Sequence, residues 1–174
     1  EKYFKSQYEN IIKFIGLRKQ QEKIIVPENC ISLHVRIGDF VLPQFKDAHP
    51  LLPLDYYSNA IKYIIKESKK DDWIVLYFCE EKDNKIVQLK IQALHKKFEN
   101  IQFKKATDQL DDWEQLLLMS CCKHNIIANS SLFSYSINCR SSCCSFLSWC
   151  SFARCDYYRF ICCNKYDCRW WSLG

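Results

Sequence analysis

Along the first 131 residues, segments with apolar residues at helical spacing alternate with short, continuously apolar segments. Apolar residues three and four positions apart predict an amphipathic helix over residues 3–18. Continuous apolar runs predict strands at Cys30 to Val35 and Trp73 to Cys79, the second with cover on both faces. Between these runs, Asp55 is predicted to cap a second amphipathic helix. Helix and strand therefore alternate from the beginning of the chain.

The same alternation continues to residue 128. The helix after the second run is predicted to turn one apolar side inward, made of Ile86, Leu89, Leu94 and Phe98. A short strand is predicted at residues 101–103, a helix opened by two acids follows it, and the last strand covers residues 125–128. His124 is expected at the end of that helix, where a positive charge suits the helix dipole. Strands that alternate with helices predict an α/β fold with a doubly wound parallel sheet, Rossmann-like in type.

Composition is globular, with 48% hydrophobic and 26% charged residues in a chain of 174, enough for one domain with a core. The formal net charge of +5 is mild and forms no dense basic stripe, so nucleic acid is not an expected partner. No apolar run reaches the ~18 residues of a membrane span, and the charged start is unlike a signal peptide. Because the chain lacks an initiator methionine, we interpret it as a fragment, in which membrane attachment would come only through absent parts.

Polar residues stand at three of the predicted strand ends. They are His34, Arg36 and Asp39 at the end of the first strand, Glu80 and Glu81 at the end of the second, and Asn129, Ser130 and Ser131 at the end of the last. Because ligands of open parallel sheets gather outside the carboxyl ends of the strands, we expect these residues to share one edge. Arg36 offers a planar fork for phosphate oxygens, and Gly38 lets the backbone approach a ligand closely. The serines offer hydroxyl and N–H donors to a phosphate, and the acids could accept hydrogen bonds from a ribose or a base.

Each of these groups also has a purely structural interpretation. Arg36 could form an ion pair with Asp39, and the two acids at 80 and 81 could simply open a solvated turn. The two serines could cap a helix, and His34 could be a partly buried histidine with its hydrogen bonds satisfied. The residues by themselves therefore predict an anion-binding α/β domain and leave the ligand open.

Four longer blocks occur in residues 30–131: SLHVRIGDFV, HPLLPLDYYSNAI, WIVLYFCEEKD and DDWEQLLLMSCCKHNIIANSS. The first is similar to the pattern His-x-Arg-Arg-Gly-Asp-Tyr, and the last to Leu-Met-Ser-x-Cys-Lys-His-Asn-Ile-Ile-Ala-Asn-Ser-Ser. The third resembles a strand that ends in Phe-Ser-Asp-Asp. In this order and spacing the blocks resemble the α-1,2-fucosyltransferases, glycosyltransferase family 11. The resemblance covers residues 30–131, and we expect the helix before them to belong to it too.

The resemblance implies the donor-binding lobe of a two-lobed GT-B fold. It implies transfer of L-fucose from GDP-fucose to the 2-hydroxyl of a galactose with inversion, so the partners would be GDP-fucose and a galactose-terminated glycan. Arg36 would be the catalytic residue that holds the diphosphate and stabilises the charge of departing GDP. His34 and Glu81 would contact the nucleoside, and Ser130 and Ser131 the phosphates. Neither a cofactor nor a metal is expected, since the arginine would take the role of a divalent ion and no Asp-x-Asp occurs.

Three departures from the family pattern qualify these implications. Ile37 stands where the family has a second arginine, and Glu80-Glu81 replace an Asp-Asp pair. After Ser131 the pattern Phe-Ser-Trp-Trp-Gly-Ala is missing. The acceptor lobe would lie mostly upstream of Glu1, so we expect little turnover from this chain alone. A catalytically dead nucleotide-sugar-binding relic, or a pseudogene product, is the alternative function.

These patterns divide the chain into a helical lead-in at residues 1–29, a donor-binding domain at 30–131 and a tail at 132–174. The resemblance leaves the compartment open: Golgi membrane for an animal protein, cytoplasm or membrane association for a bacterial one. The tail carries eight of the twelve cysteines, which are Cys139, Cys143, Cys144, Cys150, Cys155, Cys162, Cys163 and Cys168.

A shifted reading frame is our preferred explanation of this cysteine-rich tail, which would then be poorly ordered with reactive thiols. A disulfide framework and a zinc module are the alternatives, although no Cys-x-x-Cys spacing supports zinc.

Overall fold

The computed structural model describes residues 8–44, 50–128 and 161–163. The helices are Tyr8–Phe14 (α1), Leu17–Gln21 (α2), Leu54–Ser68 (α3), Asn84–Lys97 (α4) and Asp112–Cys121 (α5). The strands are Cys30–His34 (β1), Ile74–Phe78 (β2), Gln102–Lys105 (β3), His124–Ile126 (β4) and Ile161–Cys163 (β5). Short 3₁₀ turns follow β1 at Gly38–Val41 and β2 at Glu81–Asp83. Among the described helices, none is both long and apolar enough to cross a membrane.

The strands form one sheet in the order β3-β2-β1-β4-β5. β1 to β4 are mutually parallel, and β5, a short piece of the tail, pairs antiparallel with β4. The chain moves outward from β1 to β3 and then crosses back to place β4 on the other side of β1. The predicted doubly wound α/β sheet is therefore confirmed, and its order reverses between β1 and β4. The other predictions about residues 132–174 fall outside the described residues.

Apolar residues cover both faces of the central strands. The larger core cluster joins Ile31, Leu33 and Val75 of the sheet to residues of α3 and α4. On the opposite face a smaller cluster joins Phe78 and Ile127 to residues of α5. Every residue of β1 is buried, whereas in β2 Val75 and Phe78 are buried and the other three residues are half-buried. Cover on both faces, predicted for the second apolar run, is thus complete for β1 and partial for β2.

The lead-in is two short helices instead of the single helix predicted over residues 3–18. Gly16 breaks it, with a left-handed φ of 62° between α1 and α2. Ile12 and Leu17 are buried against Leu117 of α5, but Phe14 is exposed. Residues 1–7 lie outside the described residues. A glycine tolerates this conformation at no steric cost, which is why the helical pattern could be interrupted there.

Asp55 was predicted to cap α3, and this is wrong. Pro53 occupies the cap position in extended conformation, and Asp55 lies in the first turn. Its carboxylate faces solvent and approaches Lys97 Nζ at 3.4 Å. Proline suits the boundary because it lacks the N–H that a helix start would leave unpaired, and an acid in the first turn still favours the helix dipole.

The apolar side predicted for α4 is also wrong in part. Leu94 is buried and Phe98 is half-buried, as expected, but Ile86 and Leu89 are exposed. The buried side consists of Val87, Ile91 and Leu94. Those three residues are separated by four and three positions, which matches the helical repeat better than the predicted set does.

His124 is the first residue of β4 and does not end a helix, which corrects the predicted placement. Its imidazole is buried and packs edge-to-face on Trp73, with ring centroids 5.0 Å apart. Burial, followed by the charge of Lys123, lowers the His124 pKa to about 4. The side chain is therefore neutral at pH 7 and cannot supply the positive charge that was expected at a helix end.

Candidate anion-binding site

The residues that follow β1 and β2 meet at the carboxyl edge of the sheet, as the sequence predicted. Parallel pairing places His34 opposite Phe78, and Val35 N–H donates to the Phe78 carbonyl at 2.9 Å. Arg36 and Glu80 come directly after this last hydrogen bond. β4 runs to the same edge through buried Ile127 and Ala128. The predicted phosphate contacts Ser130 and Ser131, and Asn129, which was predicted at the same edge, lie just outside the described residues.

Arg36 forms an ion pair with Glu80 across the ends of β1 and β2. Its guanidinium carbon also lies 5.7 Å from the centre of the Phe40 ring, within the range of a cation–π contact. The structural alternative, an ion pair with Asp39, is not formed. About a quarter of the Arg36 side chain is exposed, at 28%, so the guanidinium is held in place yet reachable from solvent.

Lys82 extends this ion pair into a row of four charges. Its Nζ lies 2.8 Å from Glu80 Oε2 and 3.8 Å from Asp39 Oδ1. Two cations, Arg36 and Lys82, thus alternate with two carboxylates, and the row has no net charge. Lys82 was not among the predicted site residues, because a lysine in a solvated turn has no sequence pattern that indicates a binding role.

Gly38 adopts a left-handed φ of 39°, so its backbone needs the freedom of a glycine. Its N–H donates to Asp83 Oδ2 at 2.8 Å. A Cβ at this position would lie 3.1 Å from Glu80 Oε1 and 3.2 Å from Arg36 Cζ. The glycine therefore allows the close approach that was predicted, although the group that approaches is a carboxylate of the protein itself.

Asp83 joins the two turns of the site and was missed by sequence analysis. It precedes α4, where an aspartate ordinarily caps the helix, but its side chain makes no capping bond there. The buried carboxylate instead accepts the N–H of Gly38, 45 residues away in the chain. Local sequence could indicate a cap, whereas this pairing exists only because β1 and β2 are neighbours.

His34 lies at the end of β1 with only 4% of its surface exposed. Burial lowers the pKa of His34 to about 3, and the nearby charge of Arg36 is the second cause of this shift. The imidazole is therefore neutral at pH 7 and adds no positive charge to the site. Glu81, by contrast, is exposed at the start of the second 3₁₀ turn. Nucleoside contact by these two residues stays a prediction.

Two buried tyrosines fix the start of α3 beside the end of β4. Tyr56 donates its hydroxyl hydrogen to the Ile127 carbonyl at 2.8 Å, and its ring packs edge-to-face on Tyr57 at 5.1 Å. Burial raises the pKa of both hydroxyls above the ordinary value, so Tyr56 remains a hydrogen-bond donor. Tyr56 and Tyr57, which lie in the second of the four quoted blocks, thus pack together and anchor α3 beside the end of β4.

Other side chains at this edge do not resemble a nucleophile or a metal centre. Burial raises the pKa of the Cys79 thiol to about 11, so it is protonated at pH 7. Lys105 and Asp108 pair with each other after β3. Within the described part of the chain, no three His, Cys, Asp or Glu side chains are grouped as metal ligands.

Comparison with known proteins gives a partial similarity to a sugar-transferring enzyme. The chain is 32% identical over 103 residues to the O-antigen biosynthesis glycosyltransferase WbnK of Escherichia coli. The aligned part covers 59% of this chain and 32% of that protein, so the chain spans about one third of the length of the relative. No family model matches the chain, and no solved structure matches it.

Proposed function

We propose that residues 30–131 bind the nucleotide-diphosphate donor of a glycosyltransferase, with Arg36 holding the diphosphate. The observation that carries this proposal is the position of Arg36. It follows β1 at the edge where the strand order reverses between β1 and β4, and open α/β sheets bind ligands in that crevice. Similarity to an O-antigen glycosyltransferase supports sugar transfer as the class of reaction.

The donor we propose is GDP-fucose, and the acceptor is the 2-hydroxyl of a galactose in a glycan. The four blocks that resemble family 11 support this choice. The first of them contains Arg36, and the last ends in the Asn-Ser-Ser sequence after β4. The acceptor oxygen attacks the anomeric carbon from the face opposite the diphosphate. The bond from that carbon to the phosphate oxygen breaks, GDP leaves with the electron pair, and the hydroxyl proton passes to a general base. The configuration is inverted, as in a GT-B enzyme of this type.

In this proposed reaction, Arg36 increases the rate because negative charge grows on the departing diphosphate. A guanidinium that contacts two phosphate oxygens stabilises that charge more strongly in the transition state than in the bound donor. The arginine then carries the electrostatic role of a divalent ion. His34, neutral and buried behind it, leaves the positive charge of the site on the guanidinium.

Titration of GDP into the full chain by calorimetry tests the proposal. We expect Arg36→Ala to weaken GDP binding about ten- to a hundredfold, since a hydrogen-bonded charge contributes about 1.5–3 kcal/mol. Arg36→Lys keeps the charge but loses the planar fork and should fall between the two. Arg18→Ala, which removes a guanidinium from α2, is the control and should bind like wild type. Equal GDP affinity in Arg36→Ala and wild type would contradict the proposal.

A relic that binds nucleotide sugars without transferring them would pass the same titration. Fucosyl transfer to a lactose-type acceptor by the whole gene product separates the enzyme from that alternative. Transfer that is abolished by Arg36→Ala supports the enzyme, and its absence from a product that binds GDP supports the relic.

A further inference from the structure

We propose that Glu80 is a built-in competitor for the donor diphosphate, and that Lys82 is the second cation of the site once Glu80 is displaced. The inference rests on the proposed function, because it specifies how the same site takes its anion. It assigns new roles to two side chains: Glu80 blocks the empty site, and Lys82 completes the occupied one.

The position of the Glu80 carboxylate is the first observation. It pairs with the guanidinium of Arg36, the group that would hold a phosphate. The same oxygen, Oε1, stands over the backbone of Gly38, where an added Cβ would lie 3.1 Å from it. The guanidinium of Arg36 and the side-chain-free Cα of Gly38 therefore meet at one carboxylate oxygen, while the Gly38 N–H is donated to Asp83.

The chemistry of arginine makes this carboxylate a substitute for phosphate. The planar fork of N–H donors fits the oxygens of either group, so Glu80 and a diphosphate compete for the same donors. The two side chains are 28% and 33% exposed, so solvent screens their attraction and the pair can be exchanged. A diphosphate carries more charge and more oxygens than one carboxylate, and it can displace Glu80.

Lys82 is the second observation, because it is held by the same carboxylate. Its Nζ lies 2.8 Å from Glu80 Oε2 and is more than half exposed. When Glu80 leaves Arg36, both cations can contact the incoming anion, and the remaining row of Arg36, Lys82 and Asp39 changes from neutral to a net charge of +1. Ile37, at the position of the family's second arginine, is buried in the core and cannot provide this charge. Lys82, held by the same carboxylate as Arg36, can provide it.

Competition predicts that removing the carboxylate improves anion binding. Inorganic pyrophosphate and GDP are titrated separately into the full chain. Glu80→Gln, and independently Glu80→Ala, should tighten pyrophosphate binding about two- to fivefold, the range for loss of one partly exposed charge pair. Lys82→Gln should weaken it by a similar factor.

Two matched variants control for general changes of charge. Asp108→Asn removes a carboxylate from the same edge of the sheet, where it pairs with Lys105, and should leave pyrophosphate affinity unchanged. Lys85→Gln removes an exposed lysine from the first turn of α4 and should also leave it unchanged. If these controls shift affinity as much as Glu80→Gln and Lys82→Gln do, the effect is general electrostatics and the inference falls.

The two probes separate failure of this inference from failure of the proposed function. Unchanged or weaker pyrophosphate binding in both Glu80 variants overturns the competitor, even if GDP binding still depends on Arg36. Tighter pyrophosphate binding without any GDP binding supports the competing carboxylate and overturns the nucleotide assignment. If neither probe binds wild type or either Glu80 variant, both proposals are overturned.

Discussion

At Gly38, a left-handed backbone conformation lies directly beside the ion pair of Arg36 and Glu80. Its φ of 39° is in the left-handed region, its N–H is held by Asp83, and the charged ends of Arg36 and Glu80 lie over its Cα. A side chain at this position would strain the backbone and press on both partners of the ion pair. A single glycine thus leaves room for the charged ends of both side chains at the turn after β1.

The first prediction compares Gly38→Ala with Gly16→Ala. Both glycines have positive φ, so each substitution should cost about 1 kcal/mol or more of stability. Nothing lies within 4 Å of a Cβ at Gly16, whereas Gly38→Ala also crowds Arg36 and Glu80. We therefore expect both variants to lose stability in urea, but GDP affinity to fall several-fold in Gly38→Ala alone. Unchanged GDP affinity in Gly38→Ala would contradict the placement of the anion over this turn.

Helix α4 shows how an element can satisfy one pattern in sequence and use another in the fold. Ile86 and Leu89 suggested an inward side, yet they are 51% and 67% exposed. Val87, Ile91 and Leu94 are the residues that pack on the sheet, in the same cluster as Ile31 and Val75 of the strands. Both sets lie on a helix that is rich in apolar residues, and only the regular spacing of the second set distinguished them.

The second prediction tests this orientation of α4. Leu94→Ala removes a buried side chain and should lower the free energy of unfolding by about 2–5 kcal/mol. Leu89→Ala is the matched control on the exposed side and should change it by no more than about 0.5 kcal/mol. Urea denaturation measures both. A larger loss in Leu89→Ala than in Leu94→Ala would show that the helix is turned the other way.

At the scale of the whole molecule, two neutral histidines are buried at opposite ends of the sheet. His34 ends β1 at the carboxyl edge, and His124 begins β4 at the other. Burial lowers the pKa of His34 to about 3 and of His124 to about 4, below the ~6.5 of an unfolded chain. As pH falls below about 6.5 the unfolded chain takes up protons that the folded chain does not, so stability decreases.

The third prediction follows from the sign of that linkage. Between about pH 6.5 and pH 4, each buried histidine should remove up to about 1.4 kcal/mol of stability per pH unit. His124→Phe keeps an aromatic ring against Trp73 and removes one of the two groups. Its stability relative to wild type should therefore increase as pH falls from 7 to 5, measured by thermal unfolding. A constant difference across this range would contradict a buried, neutral His124.

Much of the fold and part of the site could be predicted from sequence because they depend on local patterns. Short apolar runs alternating with helical spacing identified the α/β class, and polar residues at strand ends identified Arg36 and Gly38. Asp83 was not predicted because its partner, Gly38, is 45 residues away in the chain, and Lys82 was not predicted because a lysine in a solvated turn has no distinguishing pattern. Contacts of that kind arise from neighbouring strands and leave no local periodicity.

The sequence by itself determined where apolar segments must be buried, since burial of a repeating apolar pattern follows from the hydrophobic effect alone. It also set the chemistry available at each strand end. Tertiary structure decided which of those ends became neighbours, and so decided that Glu80 and not Asp39 pairs with Arg36. It likewise fixed the side of α4 that packs inward. The strand order 3-2-1-4 sets these outcomes, because long-range pairing brings together groups that sequence spacing keeps apart.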